Sequence, residues 1–355
     1  MSFPLFPFCV IVEPDRVIAL PIISRVSERT AAIATYARVF LIYNPYAGKL
    51  IGHGERLLHR TVEILERSGH GVRALPTTGP GAAGSIARQC IDEGADLILA
   101  AGGDGTINEV VNGMIHSSVP LGILPGGTAN VLAMELGLGT KMERAARMVG
   151  QCLPERIAVG LIQNEAYPGG RHFLLMTGAG LDAHIVYHMS AGWKAALGKV
   201  AYWTGGFAQL GRRLPEFETR IGERRVRASF ALASRVRNYG GDIEIARTVS
   251  LLEDRFEVVL FEGKNAFPYL RYLLSVLTHR LDRTRGVHVL QATELQMEEG
   301  AERIYVQVDG EFAGWLPAQL KIVPDSLTIL TPPGFRANFH TSSSEQSQWT
   351  TSPTR

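Results

Sequence analysis

Short apolar runs alternate with helical segments in the first part of the chain. Four of these runs predict buried strands, at residues 38–43, 72–75, 96–101 and 121–124. Between them, residues 53–68 carry apolar side chains at helical spacing, and residues 82–93 predict a second helix. Such alternation predicts a parallel sheet with right-handed crossovers, in which ligands bind beyond the carboxyl ends of the strands.

After Gly150 the pattern changes to short strands, which predict a mainly antiparallel domain. The predicted strands are 156–163 paired with 172–177, 219–221 paired with 227–233, a central strand at 255–261, and 291–297, 304–308, 320–323 and 327–330. Residues 193–210 and 267–281 predict helices. The predicted fold class is therefore α/β plus β-rich: an extension of uncertain order (1–37), an α/β domain (38–153), a β-rich domain (154–333) and a disordered tail (334–355).

Composition fits two domains with real cores, since 46% of the 355 residues are hydrophobic. This excludes a fibrous or disordered chain. The three cysteines (Cys9, Cys90 and Cys152) are too scattered for a disulfide framework or a zinc site, which favours a reducing cytoplasm. Prolines and acidic residues interrupt the apolar N-terminal stretch, so no run there reaches the roughly 18 residues of a membrane span. A peripheral membrane anchor remains an alternative for that stretch.

The strand at 96–101 leads into a turn with three glycines, Gly102, Gly103 and Gly105. Asp104 can face a metal or a hydroxyl, and Thr106 can donate to a phosphoryl oxygen. The helix that we expect to begin near Thr106 directs free N–H groups to the same place. The turn lacks the Lys-Ser/Thr of a Walker A loop and the Gly-x-Gly-x-x-Gly spacing. It predicts a phosphate site, and the alternative is an ordinary turn in which Asp and Thr cap the helix.

Three more motifs follow predicted strands, and they should share one rim with that turn. They are Asn44-Pro45-Tyr46-Ala47-Gly48, Thr77-Thr78 and Pro125-Gly126-Gly127-Thr128-Ala129-Asn130. Taken alone, Asn44 could cap its turn and Thr78 could cap a helix.

In order and spacing, these four motifs resemble the diacylglycerol kinase catalytic family, which includes sphingosine, ceramide and bacterial lipid kinases. The resemblance implies an active site in the cleft between the two domains, with ATP and Mg²⁺ as cofactors. It implies that the following residues bind the nucleotide: Asn44, Pro45, Gly48, Thr78, Gly102, Gly103, Asp104, Gly105, Thr106, Asn108, Glu109, Gly126, Gly127, Thr128 and Asn130.

Two acidic motifs in the β-rich half also resemble this family. Asp309-Gly310-Glu311 matches its Asp-Gly-Glu, which implies that Asp309 or Glu311 is the general base, with Asp104 as the alternative. An Asp-Gly hairpin turn is the structural alternative. The segment with Ser250, Glu253 and Arg255 resembles a supporting Mg²⁺ site. It departs from the family pattern, because Glu253 replaces an Asp and Asp254 replaces a Gly, which alters the ligand geometry.

The resulting hypothesis is ATP- and Mg²⁺-dependent phosphoryl transfer to the hydroxyl of a membrane lipid with an apolar tail. We expect a cytoplasmic protein in transient contact with a membrane surface, without a nucleic-acid partner; a homodimer is left open. Arginines at 212, 213, 220, 224, 225, 227, 235 and 237 and the helix at 267–281 favour membrane contact, unless they are solvated faces and core. Asp182 could orient the lipid hydroxyl or cap a helix. The competing hypotheses are a kinase of a soluble metabolite such as NAD and a non-catalytic nucleotide-binding regulator.

Overall fold

The computed structural model describes most of the chain between residues 33 and 336, and a short hairpin before it. The described residues are 9–13, 16–20, 33–52, 54–180, 214–240, 243–263, 271–272, 274–276, 278 and 280–336. The chain divides into two units, residues 1–33 and 34–355. In the first unit, β1 (Cys9–Glu13) and β2 (Arg16–Leu20) pair in antiparallel orientation.

Alternating strands and helices form a parallel sheet at the start of the second unit. These elements are β3 (Val39–Tyr43), α1 (Gly54–Arg67), β4 (Val72–Pro76), α2 (Ala82–Asp92), β5 (Leu97–Gly102), α3 (Asp104–Met114), β6 (Leu121–Pro125), α4 (Val131–Glu135) and α5 (Met142–Met148). The strands lie in the order β6-β5-β3-β4 and pair in parallel. Strands β5 and β6 are buried along their whole length, as expected of parallel strands covered on both faces. The predicted α/β architecture is confirmed.

The rest of the described chain is almost entirely β-structure. Its strands are β7 (Leu153–Asn164), β8 (Arg171–Phe173), β9 (Met176–Gly180), β10 (Phe217–Ile221), β11 (Arg224–Ala228), β12 (Phe230–Ser234), β13 (Asn238–Gly240), β14 (Ile243–Glu244), β15 (Phe256–Phe261), β16 (Val287–Ala292), β17 (Glu294–Met297), β18 (Tyr305–Val308), β19 (Glu311–Trp315) and β20 (Ala318–Thr331). Short 3₁₀ helices span Val149–Gln151 and Leu281–Arg283.

Strand β20 joins the two halves of this unit. It runs parallel to β6, with Ile329 beside Leu121, and antiparallel to β7 and β17. The parallel sheet therefore continues into the antiparallel strands β7, β8, β10, β11, β17 and β20. A second sheet has the order β16-β15-β12-β9-β18-β19. Phe173 of the first sheet stacks on Phe256 of the second with ring centroids 5.7 Å apart, and both rings are fully buried.

Three predicted strands are wrong as single strands, because each one changes sheet partway along. The predicted strands 172–177, 227–233 and 291–297 each divide between the two sheets, with breaks at 174–175, Ser229 and Thr293. At 174–175 and at Ser229, apolar residues on both sides of the break are buried, so hydrophobicity carries no sign of these two crossings. The opposite error occurs at Pro324, where the predicted strands 320–323 and 327–330 form one strand with a register shift.

Candidate active site

Each predicted motif of the rim directly follows a parallel strand. Strand β3 ends at Tyr43 before Asn44, β4 ends at Pro76 before Thr77 and Thr78, and the glycine turns follow β5 and β6. Thr77 is buried and its N–H donates to the carbonyl of Tyr43, whereas Thr78 is exposed at the rim. The parallel sheet therefore brings the four motifs to one edge, as predicted.

The two glycine turns pack backbone against backbone. The N–H groups of Gly126 and Gly127 donate to the carbonyl of Gly102 at 2.9 and 3.0 Å. A Cβ added to Gly127 would lie 2.5 Å from Cα of Gly103, so a side chain there would separate the turns. The two turns thus present one surface made of main chain, on which a phosphate could approach the peptide groups closely.

Helix α3 begins at Asp104, two residues before the predicted start. Among the described residues, no side chain caps this helix, which leaves its first N–H groups available to a ligand. The carboxylate of Asp104 accepts N–H groups of Val131 (3.1 Å) and Leu132 (3.2 Å) at the start of α4. Burial raises the pKa of Asp104, and these N–H groups oppose that rise. Asp104 therefore holds the second glycine loop against the first.

The Asn44 loop packs beside both turns. The Asn44 side chain donates to Thr106 Oγ1 at 3.2 Å and accepts the N–H of Tyr46 at 2.9 Å, which closes the turn around Pro45. A Cβ added to Gly48 would lie 3.2 Å from Thr128 Oγ1. The polar groups predicted for the nucleotide at these positions are thus neighbours.

Two predicted nucleotide ligands brace the loops in this structure. Asn130 is fully buried with a φ of 50°, and its side chain exchanges hydrogen bonds with N–H and C=O of Gly127, both at 2.8 Å. Glu109 accepts the N–H groups of Gly81 (2.7 Å) and Ala83 (3.1 Å) at the start of α2. Their direct contact with a nucleotide stays a prediction.

Asp309 and Gly310 form the hairpin turn between β18 and β19, with φ values of 48° and 81°. The Asp309 carboxylate points inward and accepts four N–H groups: from Leu174 (3.2 Å), Leu175 (3.0 Å), Met176 (2.9 Å) and the side chain of Asn108 (2.9 Å). Desolvation raises its pKa to about 6 although these donors favour the charged form. With both oxygens engaged twice, Asp309 has no free lone pair for a substrate.

Glu311, two residues later, reaches the donor loop. One oxygen, Oε2, accepts from Arg171 Nη2 at 2.7 Å. The other, Oε1, lies so close to Gly105 that a Cβ added there would overlap it. The side chain of Glu311 is 48% exposed. It is thus the carboxylate of the hairpin that an acceptor hydroxyl at the glycine turn could reach.

Arg171 was not among the predicted site residues. Its guanidinium donates to Asn108 Oδ1 from Nε (3.1 Å) and Nη2 (3.0 Å), to Tyr167 Oη (2.9 Å) and to Glu311. Asn108, a predicted nucleotide ligand, is itself buried between Arg171 and Asp309. One signal was available in the sequence: alternation places Arg171 on the same inward face as Phe173.

Two family models cover most of the chain. The diacylglycerol kinase catalytic domain matches residues 38–162, and the YegS C-terminal NAD kinase beta sandwich-like domain matches residues 176–331. The chain belongs to the diacylglycerol kinase catalytic-domain family. Because this is a family of kinases, membership supports the prediction that the protein is a phosphotransferase.

Curated family members match along almost their whole length. The chain is 27% identical over 304 residues to a diacylglycerol kinase of Bacillus subtilis strain 168, covering 83% of this chain and 96% of that one. It is 28% identical over 311 residues to a diacylglycerol kinase of Mycobacterium tuberculosis, covering 83% and 95%. The crystal structure of a diacylglycerol kinase from Bacillus anthracis strain Sterne superimposes with a TM-score of 0.68 at 22% identity, covering 84% and 98%. That likeness shows the shared fold.

The supporting Mg²⁺ site that the family resemblance implied does not fit the residues present. Both carboxylate oxygens of Glu253 bind the Arg255 guanidinium, Oε1 at 2.6 Å and Oε2 at 3.1 Å. The Ser250 hydroxyl accepts the N–H of Leu252 at 3.2 Å. Across the described residues, no group of three or more His, Cys, Asp or Glu side chains could hold a metal ion.

The prediction that the arginines form a basic surface is partly wrong. Arg235 is fully buried and cannot meet a membrane, whereas Arg237 pairs with Glu135 at 3.5 Å and keeps its side chain 41% exposed. Arg224, Arg225 and Arg227 are exposed on the β10–β11 hairpin. In the predicted helix 267–281, residues 271–272 and 274–276 are helical; Tyr272 and Val276 are buried and Leu274 is exposed.

Several predictions lie outside the described residues of this family member. They concern Asp182, the helix 193–210, Arg212, Arg213 and the tail from residue 337. Among the helices of the described ranges, none combines the length and apolar character that crossing a bilayer requires.

Proposed function

We propose that this protein is an ATP- and Mg²⁺-dependent kinase that phosphorylates a hydroxyl of a membrane lipid with an apolar tail, of the diacylglycerol or sphingoid type. The observation that carries the proposal is the approach of Glu311 to Gly105. This approach puts a half-exposed carboxylate beside the turn that would hold the γ-phosphate. Donor and acceptor groups come from different halves of the chain and meet there.

On the donor side, the main chain of the two glycine turns and the uncapped start of α3 would bind the phosphates of ATP. Phosphoryl transfer depends mainly on positioning and on charge neutralisation, which suits such a surface. Mg²⁺ bound with the nucleotide would neutralise charge on the transferred group. The side chains of Thr106 and Asn44 are placed to orient the transferred phosphoryl group.

On the acceptor side, Glu311 would accept the proton of the lipid hydroxyl. Arg171 fixes the direction of this carboxylate through Oε2, which leaves Oε1 facing Gly105. Asp309 would act as a positioning residue, because its four N–H contacts hold the hairpin turn that carries Glu311. Of the two carboxylates predicted as the general base, Asp309 and Glu311, we therefore favour Glu311.

The lipid class rests on the relatives, which are named diacylglycerol kinases. Such a substrate requires contact with a membrane surface from the cytoplasm. The exposed arginines of the β10–β11 hairpin are suited to that contact, since each basic residue near an anionic surface contributes about 1 kcal/mol.

The test is transfer of labelled γ-phosphate from Mg-ATP to a panel of acceptors: vesicles with diacylglycerol, ceramide or sphingosine, and soluble NAD⁺. We expect one lipid to be labelled, with Glu311→Gln much less active and Glu294→Gln, altered on an exposed strand, fully active. Labelling of NAD⁺ alone would identify a kinase of a soluble metabolite. ATP binding without any labelling would identify a non-catalytic nucleotide-binding protein.

A further inference from the structure

Arg235 is a fully buried arginine that the proposed reaction does not use. It directly follows β12; its backbone N–H donates to the carbonyl of Leu175 (2.8 Å) and its Nη2 to the carbonyl of Leu251 (2.9 Å). Nε and Nη1 are buried without a hydrogen-bond acceptor among the described residues. Burying a guanidinium in this way is costly unless opposite charge lies nearby.

That opposite charge comes from the loop of residues 250–255. Burial lowers the pKa of the Arg235 guanidinium to about 10, and the negative charges of Asp254 and Glu253 oppose that fall. Arg235 is therefore cationic at neutral pH. A second guanidinium, that of Arg255, donates a hydrogen bond to each carboxylate oxygen of Glu253. The charges of Arg235 and Arg255 thus offset those of Glu253 and Asp254, and the loop is close to neutral without any bound ion.

Several oxygen atoms of this loop already accept hydrogen bonds from protein donors. The carbonyl of Leu251 accepts from Arg235, and the carbonyl of Ser250 accepts the N–H of Glu253 at 3.0 Å. Mg²⁺ requires a near-octahedral set of oxygen ligands at about 2.0–2.1 Å. A divalent cation at these oxygens would compete with the protein donors, and a buried guanidinium that cannot move into water would repel it.

We propose that Arg235 is the built-in cation of the 250–255 loop, and that the loop is ordered without Mg²⁺. The loop also supports the candidate active site. Leu175, whose carbonyl binds the N–H of Arg235, donates its own N–H to Asp309 Oδ1 at 3.0 Å. The Arg235 guanidinium thus supplies positive charge where the family resemblance implied a metal ion. Leu175 connects it to Asp309, in the turn that precedes Glu311.

The first test is thermal unfolding of the nucleotide-free, full-length protein in EDTA and in millimolar MgCl₂ at matched ionic strength. We expect the same Tm in both solutions, because a ligand without a site does not stabilise the native state. A saturable rise of Tm with MgCl₂ would overturn the proposal. This readout needs neither ATP nor an acceptor, so it stands apart from the proposed kinase activity.

The second test compares Arg235→Met, Arg235→Lys and, as a matched control, Arg227→Met on an exposed strand. We expect Arg235→Met to lower the Tm by about 5 °C or more, since Glu253 and Asp254 lose a buried counter-charge. Arg235→Lys should recover part of that loss, and Arg227→Met should leave the Tm unchanged. Equal loss in the Met and Lys variants, or none in either, would contradict the charge role. If Arg235→Met does not fold, a folded Arg235→Lys protein insensitive to EDTA supports the proposal, and an EDTA-sensitive one contradicts it.

Discussion

Asn108 on α3 donates a hydrogen bond of 2.9 Å to the carboxylate of Asp309, 201 residues further along the chain. The other end of the same amide accepts from Arg171, which in turn binds Glu311. The helix that follows the glycine turn is therefore tied directly to the hairpin that carries the carboxylates. This linkage explains how two halves of the chain with different architectures can hold one set of reacting groups in register.

Asp309→Asn should destabilise the protein. In either orientation, the new amide NH₂ would face two N–H donors where an acceptor is required: those of Leu175 and Met176 in place of Oδ1, or those of Leu174 and Asn108 in place of Oδ2. We expect a loss of about 1–3 kcal/mol in the free energy of unfolding. Denaturant unfolding at pH 8, where Asp309 is ionised, measures it.

Asp325→Asn is the matched control for that variant. Asp325 also has a positive φ, of 49°, but its carboxylate is 81% exposed. That carboxylate pairs with Arg156 at 2.8 Å, and an exposed ion pair contributes about 0–1 kcal/mol, so this variant should lose less than about 1 kcal/mol. An equal, small loss in both variants would mean that Asp309 is only a turn residue.

Asp104→Ala should lower both turnover and stability. The sequence alone predicts an intact fold for this variant, but the carboxylate accepts the first N–H groups of α4, and losing such a cap costs about 1–2 kcal/mol. We expect kcat to fall by orders of magnitude as the glycine loops lose their alignment. Asp104→Asn should recover part of the Tm that Asp104→Ala loses, whereas its kcat should stay low. Full turnover in the Asn variant would remove the charge of Asp104 from the mechanism.

Arg171→Met should reduce kcat by about 10- to 100-fold with little change in the Kd for ATP, because Arg171 orients Glu311 and touches the acceptor side. Arg171→Lys should restore part of the rate, since the charge returns without the planar fork that also binds Asn108. Steady-state kinetics and ATP titration separate the two effects. A purely structural Arg171 would instead lower Tm in both variants and leave the rate per folded molecule unchanged.

His70 should make stability depend on pH below neutrality. Burial lowers its pKa from 6.5, and the neutral ring accepts the N–H of Tyr36 through Nδ1 at 3.1 Å. Below pH 6.5 the unfolded chain binds a proton that the folded one resists, so stability is lost as the pH falls. His70→Asn keeps an acceptor but cannot titrate, and should remove that part of the slope. His59→Asn, at a 77% exposed side chain, should keep it. Parallel slopes in all three proteins would contradict the assignment.

The rim of the parallel sheet could be predicted because each of its parts has a local signal. Strands, turns and helices of the first half follow the apolar pattern within a few residues, and parallel topology then brings Asn44, Thr78 and Gly102 to one edge. The β-rich half was harder to predict where a strand such as 227–233 changes sheet within a stretch that is buried from Ala228 to Ala233. Burial on both sides of the break removes the alternation from which a strand's face is recognised.

Within the site, residue types were predicted better than roles. Glu109, Asn130 and Asp309 fit the family motifs, yet their side chains are engaged by nearby N–H groups. The role of Arg171 was not predicted, because two of its three acceptors, Asn108 and Glu311, lie far from it in the sequence and only the fold brings them together. Arg235 looked like one of a basic surface cluster, since sequence proximity does not show which side of a strand end is buried.

The central claim is that the glycine turns and Glu311 form one active site for a lipid hydroxyl. The most direct test is a single-turnover reaction of the wild type and Glu311→Gln with Mg-ATP and diacylglycerol vesicles, measuring ADP and phosphatidate together. We predict one phosphatidate per ADP in the wild type, and a rate at least about 10²-fold lower in the variant at unchanged ATP affinity and Tm. Release of ADP without phosphatidate, or an equally fast Glu311→Gln protein, would contradict the claim.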